Sequence, residues 1–313
     1  MEDPSPKITI LLATFNRSAL VGETLDSIIA QTYHNWECII VDDHSKDNTE
    51  VVISSYLEKE SRFSYFRKTE KYKPGLSGTR NYGLDLAAKR GAGFIQFFDD
   101  DDIMHPRKLE LQMEPFLNNP EIDLTLCQYR KFHNKETIEF NLDKADDGLC
   151  SVTTDNLLKS FYLNEIDLNS SGPLWKAYIL KNYRFLEDLF YAEEKEFYLR
   201  VFYKEKIKYE PIKLVLFWYR KHNKSITSNL YSDPSIKLNS AKLFEEKFLN
   251  MVLEKKNAPY FLLKSYTAKF IKNKNLLELK RISEYIKENS HPINFKYWIL
   301  LIYIKLKSFE IIR

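Results

Sequence analysis

Residues 93–102 read GFIQFFDDDD, an apolar run of strand length that ends in four consecutive aspartates. Four adjacent carboxylates repel one another, and a solvated loop gains nothing from having them directly after a buried strand. A divalent cation removes the repulsion, and Mg²⁺ or Mn²⁺ prefers one or two carboxylates together with phosphate oxygens and water. The segment therefore predicts a metal and phosphate site at residues 99–102, with an acidic turn of no function as the alternative.

Three further apolar runs lie upstream and alternate with stretches of helical periodicity. The first two runs are nearly continuous in Ile, Leu and Val, which is typical of parallel strands covered by helices on both faces. This βαβ pattern predicts an α/β fold with a doubly wound, mainly parallel sheet flanked by helices, whose ligand crevice lies beyond the carboxyl ends of the strands. The predicted strands are residues 8–13, 36–41, 63–66 and 94–98.

Polar segments follow these strands at the point where each strand ends. Residues 14–16 follow the first strand, Asp42 and Asp43 follow the second, and the aspartate run follows the fourth. Because carboxyl ends of parallel strands meet at one edge, we expect these segments to gather at one mouth. A glycine-containing loop at 73–78 allows close backbone approach and leads to Arg80. The set indicates a nucleotide crevice, although each piece alone is more often a turn or a surface ion pair.

The order and spacing of these motifs resemble glycosyltransferase family 2, a large group of enzymes with the GT-A fold. The resemblance covers residues 7–225 and rests on the segments ITILLATFNR (8–17), IIVDDHSKDNT (39–49), GLSGTRN (75–81) and FFDDDDIMHP (97–106). Ala13 and Phe15 stand where the family has Pro and Tyr, and a Phe ring can still stack on a base. His44 stands where Gly is common and alters a turn.

The resemblance implies a role for each residue on the donor side. Asp101 binds Mn²⁺ or Mg²⁺ between the donor phosphates, with Asp99 as a further candidate ligand and Asp102 in support. His222, in a segment similar to the family's Tyr-Arg-x-His-x-x-Ser, is either a metal or diphosphate contact or a surface histidine. The implied nucleotide-binding residues are Thr14, Phe15, Asn16, Asp43, Arg80 and Asp100, of which Thr14 and Asp43 hold uracil and Asp100 contacts the ribose.

A catalytic base is needed if the sugar is transferred with inversion, because a carboxylate must deprotonate the attacking hydroxyl. Residues 187–200 resemble the family's Glu-Asp pair followed by a helix that ends in Arg. That register makes Glu194 the base, with Glu193 and Asp188 as alternatives. An acidic helix start without a catalytic role is the other interpretation, because carboxylates are favourable near helix N-termini. Trp175 either stacks on a sugar on the acceptor side or fills the core.

The length of 313 residues allows a substantial core, and we predict two domains. The catalytic domain covers residues 1–228, with a nucleotide-sugar half at 1–105 and an acceptor half at 106–228. A helical extension covers residues 229–313. Three cysteines without metal-like spacing and a start without a secretory pattern predict a cytoplasmic location.

The C-terminal extension is basic, whereas the rest of the chain carries a net negative charge. Residues 264–313 contain eleven Lys or Arg against four Asp or Glu, although the whole chain is only +3. This asymmetry argues against nucleic acid as a partner of the main domain. Residues 297–304 are apolar between two lysines, a run too short to span a bilayer. It predicts peripheral contact with the inner face of the cell membrane, with a core helix or a dimer contact as alternatives.

Together these features predict a metal-dependent, inverting glycosyltransferase that moves a sugar from a nucleotide-diphosphate donor, with UDP implied by the resemblance. The expected acceptor is a glycan or lipid-linked glycan in cell-surface polysaccharide or glycolipid assembly. One alternative is a nucleotidyltransferase, which usually needs a Gly-rich basic loop after the first strand, whereas residues 14–17 contain no glycine. Another is a catalytically silent nucleotide-sugar-binding scaffold, which the retained acidic run and Glu193-Glu194 pair disfavour.

Overall fold

The computed structural model describes residues 5–133, 136–142, 151–222, 234–289 and 295–312. The chain forms two compact units, Met1–Ala241 and Lys242–Arg313. The large unit is an α/β structure with a mainly parallel sheet flanked by helices, which confirms the predicted fold class. The predicted domain boundary at residues 228 and 229 lies outside the described residues and stays a prediction.

One eight-stranded sheet forms the centre of the large unit in the described part of the chain, with the strand order β3-β2-β1-β4-β7-β6-β8-β5. The neighbours from β3 to β4 are parallel, as are β6 and β8, whereas β7 is antiparallel to both β4 and β6, and β5 is antiparallel to β8. The strands are β1 (Ile8–Thr14), β2 (Trp36–Asp42), β3 (Phe63–Arg67), β4 (Phe94–Asp99), β5 (Ile103–Met104), β6 (Leu124–His133), β7 (Pro173–Lys176) and β8 (Tyr209–Lys221).

Each of the first four strands is one residue longer than its apolar run predicts. The additional residues are polar, and all four of them still pair in the ladder: Thr14 with Asp42, Asp42 with Arg67, and Asp99 with Ala13. The ladder continues because its hydrogen bonds join backbone groups and do not depend on an apolar side chain. The pairing holds Thr14, Asp42 and Asp99 at one edge of the sheet, as predicted. We call it the carboxyl edge.

Helices connect the strands and cover the sheet. The helices of the large unit are α1 (Val21–Ile29), α2 (Thr49–Leu57), α3 (Leu76–Lys89), α4 (Lys108–Asn118), α5 (Leu157–Tyr162), α6 (Ala177–Leu180) and α7 (Glu193–Lys204). The small unit takes most of α8 (Pro234–Glu254) and contains α9 (Tyr260–Lys272), α10 (Leu276–Asn289) and α11 (Phe295–Ile312). Helices α9, α10 and α11 pack against one another around buried residues such as Leu262, Ile282 and Leu300. Among the described helices, none is long and apolar enough to cross a bilayer.

The loop between β3 and α3 packs tightly against the start of α3. Gly75 has a φ of 108°, a left-handed conformation that favours glycine. A Cβ atom added at Gly78 would lie 2.1 Å from the backbone oxygen of Lys73. The ammonium of Lys68 donates to the same oxygen at 2.7 Å. We call residues 68–75 the β3–α3 loop. Its backbone can pack this closely against α3 only because Gly78 has no side chain.

We predict that Gly78→Ala destabilises the protein, because the new methyl group would overlap a backbone oxygen that the loop cannot easily move. Overpacking of this kind costs about 1–3 kcal/mol, offset by about 1 kcal/mol of helix propensity. The free energy of unfolding, measured in urea, should therefore fall. Gly93→Ala is the matched control, since a Cβ atom there meets nothing within 4 Å. Equal effects of the two substitutions would contradict the packing described for the loop.

Candidate active site

Asp100 and Asp101 lie at the carboxyl edge directly after β4, and both are close to the guanidinium of Arg17. The Arg17 Nε lies 3.2 Å from an Asp100 oxygen and 3.5 Å from an Asp101 oxygen. Asp100 also accepts from the backbone N–H of Phe15 at 3.3 Å. Burial, and next the neighbouring Asp101, raise the pKa of Asp100 to about 7. A further positive charge beside Asp100 would favour its charged form.

His222 follows β8 and approaches the same carboxylates. Its Nε2 lies 2.8 Å from an Asp101 oxygen. The structure therefore brings together Asp101 and His222, two of the predicted metal ligands. A carboxylate and an imidazole suit Mn²⁺, and a cation that also binds substrate phosphates needs few protein ligands. No group of three or more His, Cys, Asp or Glu residues in the described ranges is arranged to hold a metal.

Asp102 turns away from these residues and fixes the end of β8. Its carboxylate accepts from the backbone N–H of Arg220 at 3.0 Å and from the Ser171 hydroxyl at 3.3 Å. Burial, and next Asp99, raise its pKa well above the ordinary value. The Arg220 Nε donates to the Asp101 carbonyl at 2.6 Å. Asp102 and Arg220 therefore hold the acidic loop on β8.

Asp99 belongs to a separate group of residues around the buried guanidinium of Arg80. Arg80 donates to Asp99 at 2.7 Å, to Glu194 at 2.8 Å and to the Ser170 hydroxyl at 2.9 Å. The backbone N–H of Ser170 donates to the second oxygen of Glu194 at 3.1 Å. We call Arg80, Asp99, Ser170 and Glu194 the Arg80 network. It joins the end of β4 to the start of α7.

Glu193 and Glu194 are in the first turn of α7, after Ala192, which has a strained positive φ of 60°. Burial raises the pKa of Glu194, and the charge of Arg80 opposes this shift. Burial, and next the charge of Glu194, raise the pKa of Glu193 to about 7. A carboxylate whose pKa lies near neutrality is suited to accept a proton from a substrate.

The predicted residues that bind the nucleotide base lie on the other side of the carboxyl edge. One Asp43 oxygen accepts from the backbone N–H of Gly75 at 2.6 Å, and the other pairs with the buried ammonium of Lys68. The Asn16 side chain accepts from the Lys46 backbone at 2.8 Å. Phe15 is 49% exposed, as a ring that stacks on a ligand must be before the ligand binds. Thr14 is buried beside Asp43, whose N–H donates to the Thr14 carbonyl at 2.9 Å.

The structure places three predicted site residues in other contacts. The side chain of Arg80 is only 2% exposed and is held by the Arg80 network, so its nucleotide contact stays a prediction. Asp99 pairs with that guanidinium, whereas Asp101 lies beside Arg17 and His222. Trp175 is fully buried on β7 and stacks on Tyr198 of α7 at 5.6 Å, so it fills the core and does not line an acceptor site.

Asp188, one alternative base, lies on the surface. Its carboxylate is 68% exposed and pairs with Lys73 of the β3–α3 loop. The neighbouring Glu187 accepts from the backbone N–H of Lys73 at 2.8 Å and from Asn81 at 2.9 Å. Asp188 is largely exposed and paired with lysine, whereas the two glutamates of α7 are more buried, so Asp188 is the weaker candidate for the catalytic base.

The sequence reasoning missed Arg17 and Lys68, and it placed Ser170 in a segment, residues 170–175, that was expected to line the acceptor pocket and not beside Arg80. Arg17 has a visible signal, because it stands three residues after the end of β1 and the carboxyl edge is acidic. Lys68 likewise follows the end of β3 directly. Ser170 gives no signal beyond a small polar residue before β7, since its contact with Arg80 joins residues 90 positions apart.

Comparison with known proteins gives consistent matches. The family model described as Glycosyl transferase family 2 matches residues 9–172. A GalNAc(5)-diNAcBac-PP-undecaprenol beta-1,3-glucosyltransferase from Campylobacter jejuni is 30% identical over 86% of this chain and 84% of its own length. The UDP-Glc:alpha-D-GlcNAc-diphosphoundecaprenol beta-1,3-glucosyltransferase WfgD from Escherichia coli is 35% identical over 42% of this chain, and the match spans 49% of WfgD.

A solved structure confirms the fold. TarS residues 1–349 from S. aureus, in complex with UDP-GlcNAc, superimpose with a TM-score of 0.64 and 18% identity. The superposition covers 97% of this chain and 89% of the TarS chain. The resemblance drawn from the sequence motifs is thereby confirmed at the level of family and fold.

We predict that Arg80→Gln destabilises the protein by about 3–5 kcal/mol, because it leaves two partly buried carboxylates without a counter-charge. The charge of Arg80 opposes the raised pKa of Glu194, so that pKa should rise further in the variant, and the folded state then retains protons that the unfolded state releases. The loss of unfolding free energy should accordingly be larger at pH 8 than at pH 5. Urea denaturation at both pH values measures it.

The matched control is Arg107→Gln, which removes an arginine from an exposed pair with Glu110. Surface pairs of this kind contribute little, so we expect no measurable change. If Arg80→Gln unfolds as easily as this control and with the same pH dependence, the Arg80 network does not stabilise the large unit.

Proposed function

Because the chain belongs to glycosyltransferase family 2, we propose that it transfers a sugar, with inversion, from a UDP-sugar to a hydroxyl of a lipid-linked glycan. The product would enter cell-surface polysaccharide or glycolipid assembly. One observation carries the proposal: the Arg80 network ties Glu194 to Asp99, the first aspartate of the acidic run. A candidate base and a candidate phosphate site thus share the carboxyl edge.

The donor site is proposed on the side of Phe15 and Asp43. Uracil would stack on the exposed Phe15 ring and bind the Asp43 carboxylate, which the β3–α3 loop orients through Gly75. The E. coli relative, which is 35% identical to this chain over the matched residues, takes its glucose from UDP-Glc. Both relatives are named glucosyltransferases, so UDP-glucose is the first donor to test.

Mn²⁺ or Mg²⁺ is proposed as the cofactor, held by Asp101 with His222 at its side. When bound, such an ion supplies positive charge to the leaving diphosphate. Asp100 and Arg17 keep the Asp101 carboxylate in place, since Arg17 contacts both aspartates. Burial, and next Asp101, raise the pKa of Asp100, so a cation bound nearby would favour its charged form.

Glu194 is proposed as the catalytic base. The acceptor hydroxyl gives its proton to a Glu194 oxygen, and the acceptor oxygen forms a bond to the anomeric carbon. The bond from that carbon to the diphosphate oxygen breaks, and the nucleotide leaves with the electron pair. A single displacement inverts the anomeric configuration. Glu193 is the second candidate, because its pKa near 7 also suits a base.

The acceptor is proposed to be a lipid-linked glycan because the C. jejuni relative, which matches over most of both chains, acts on an undecaprenol-linked substrate. Its substrate would keep the enzyme at the inner face of the cell membrane, which agrees with the predicted cytoplasmic, peripheral location. The nucleotidyltransferase and silent-scaffold alternatives have no support from the family match.

We predict that Asp101→Ala removes the effect of Mn²⁺ on UDP binding while the fold is retained. A ligand that binds only the folded state raises the melting temperature, so thermal shift with UDP and a panel of UDP-sugars, with and without Mn²⁺, measures it. In Mn²⁺ the affinity for UDP should fall at least tenfold, since a direct ligand is lost. Asp155→Ala, at an exposed position, is the control. An unchanged metal dependence in Asp101→Ala would rule out this ligand.

We predict that Glu194→Gln lowers kcat by about 10²–10⁴ and leaves the Kd of UDP near that of the parent, because general-base assistance is worth that much and the donor residues are untouched. Glu193→Gln should be milder, since adjacent helical residues point about 100° apart. NMR of the product anomer gives an independent check, and inversion is expected. Full activity of Glu194→Gln with loss in Glu193→Gln would move the base to Glu193.

A further inference from the structure

Helix α11 exposes a continuous set of large apolar side chains. Seven of them are 44–73% exposed to solvent. At 100° per residue they fall within an arc of roughly 140° on one face of the helix. We call this set the apolar stripe, and its members are Phe295, Trp298, Ile299, Ile302, Tyr303, Leu306 and Phe309. A patch of this size on a folded surface marks an interaction site.

The opposite face of α11 is used to fold the small unit. Leu300 and Ile304 are 4% and 3% exposed and lie roughly opposite the centre of the apolar stripe. The Tyr297 hydroxyl donates to the Ala258 carbonyl at 2.9 Å. The helix is therefore held by one face, and the apolar stripe is not the surface that packs against α9 and α10.

Lysines border the apolar stripe on both sides. By helical geometry Lys296 lies about 20° beyond one edge and Lys305 about 20° beyond the other, and both are exposed. Glu310, the one carboxylate on the helix, falls within the arc of the apolar stripe at its C-terminal end and is paired with Lys307 at 2.6 Å. Aromatic rings within an apolar face and lysines along its borders are the pattern of a helix that lies in a lipid interface, where lysines reach the phosphate groups.

We propose that α11 lies flat on an anionic lipid bilayer, with the apolar stripe inserted among the acyl chains and Lys296 and Lys305 bound to lipid phosphates. This proposal rests on the proposed function in one respect, that the acceptor is linked to a lipid. A second copy of this chain is a poorer occupant, because it would bring more lysines to the same border and interface cores are depleted of lysine. Lipid phosphates supply the complementary charge.

Trp298 reports on the proposal directly. The sequence contains four tryptophans, and Trp36, Trp175 and Trp218 are at most 7% exposed, whereas Trp298 is 61% exposed. Vesicles of equal parts phosphatidylglycerol and phosphatidylcholine should shift tryptophan emission to shorter wavelength. Lipids brominated on the acyl chain should quench it. Pure phosphatidylcholine vesicles should bind more weakly, because they lack net negative charge.

Two pairs of substitutions separate the apolar and charged contributions to vesicle co-sedimentation. Ile302→Gln with Leu306→Gln should weaken binding at least tenfold, because two apolar side chains no longer enter the acyl region. Lys296→Gln with Lys305→Gln should weaken binding about 25-fold to anionic vesicles, about fivefold per lysine. Leu277→Gln is the matched control, since Leu277 is 69% exposed in the same unit but lies on α10. Circular dichroism checks that each variant is folded.

The proposal is overturned if the parent does not bind anionic vesicles, or if brominated lipids leave Trp298 emission unchanged. It is also overturned if the Ile302→Gln, Leu306→Gln variant dissociates a dimer in light scattering while vesicle binding persists. Failure of the proposed function looks different: UDP-sugars would not be turned over, while vesicle binding would be intact. Transfer to a water-soluble acceptor should be equal in the parent and the stripe variants, because the substituted residues are not among the proposed donor, metal or base residues.

Discussion

The large unit is organised around one buried charge, the guanidinium of Arg80 between Asp99 and Glu194. These residues come from α3, β4 and α7, so a single ion-pair group fixes the two helices against the end of a central strand. Burying three charges is costly unless each has a partner and its hydrogen bonds are satisfied. Ser170 donates a hydrogen bond to each of the two carboxylates, from its backbone N–H to Glu194 and from its hydroxyl to Asp99. The position of α7, and with it the direction in which Glu194 faces, follows from this requirement.

The four consecutive aspartates have different partners, because each buried carboxylate needs its own hydrogen bonds or counter-charge. Asp99 is paired with Arg80, Asp102 is held by the backbone of β8, and Asp100 and Asp101 share Arg17. Only the last two lie beside Arg17 at the carboxyl edge, and His222 approaches Asp101 there. A run that reads as one motif therefore contains two structural residues and two that are suited to a cation with phosphates.

The sequence predicted the parts of the fold that depend on local pattern. Apolar runs located β1 to β4 to within one residue, and their polar ends predicted which segments share the carboxyl edge. Side-chain direction was harder to predict. Trp175 is in the core because β7 runs antiparallel between β4 and β6. Its pairing with β4 joins residues about 80 positions apart, and its pairing with β6 joins residues about 50 positions apart. Arg80 was assigned to the nucleotide because a motif specifies residue type, whereas its burial depends on Glu194, 114 positions away.

The β3–α3 loop contacts both the proposed nucleobase site and the segment that leads into α7. Gly75 donates to Asp43 at the proposed nucleobase site, and Lys73 contacts Glu187 and Asp188 on that segment. A nucleobase that competes for the Asp43 carboxylate would alter the same short stretch of backbone that holds Glu187. If the acceptor contacts the segment that leads into α7, donor and acceptor affinities would be thermodynamically linked. The linkage would be reciprocal: whatever factor the donor imposes on acceptor affinity, the acceptor would impose on the donor.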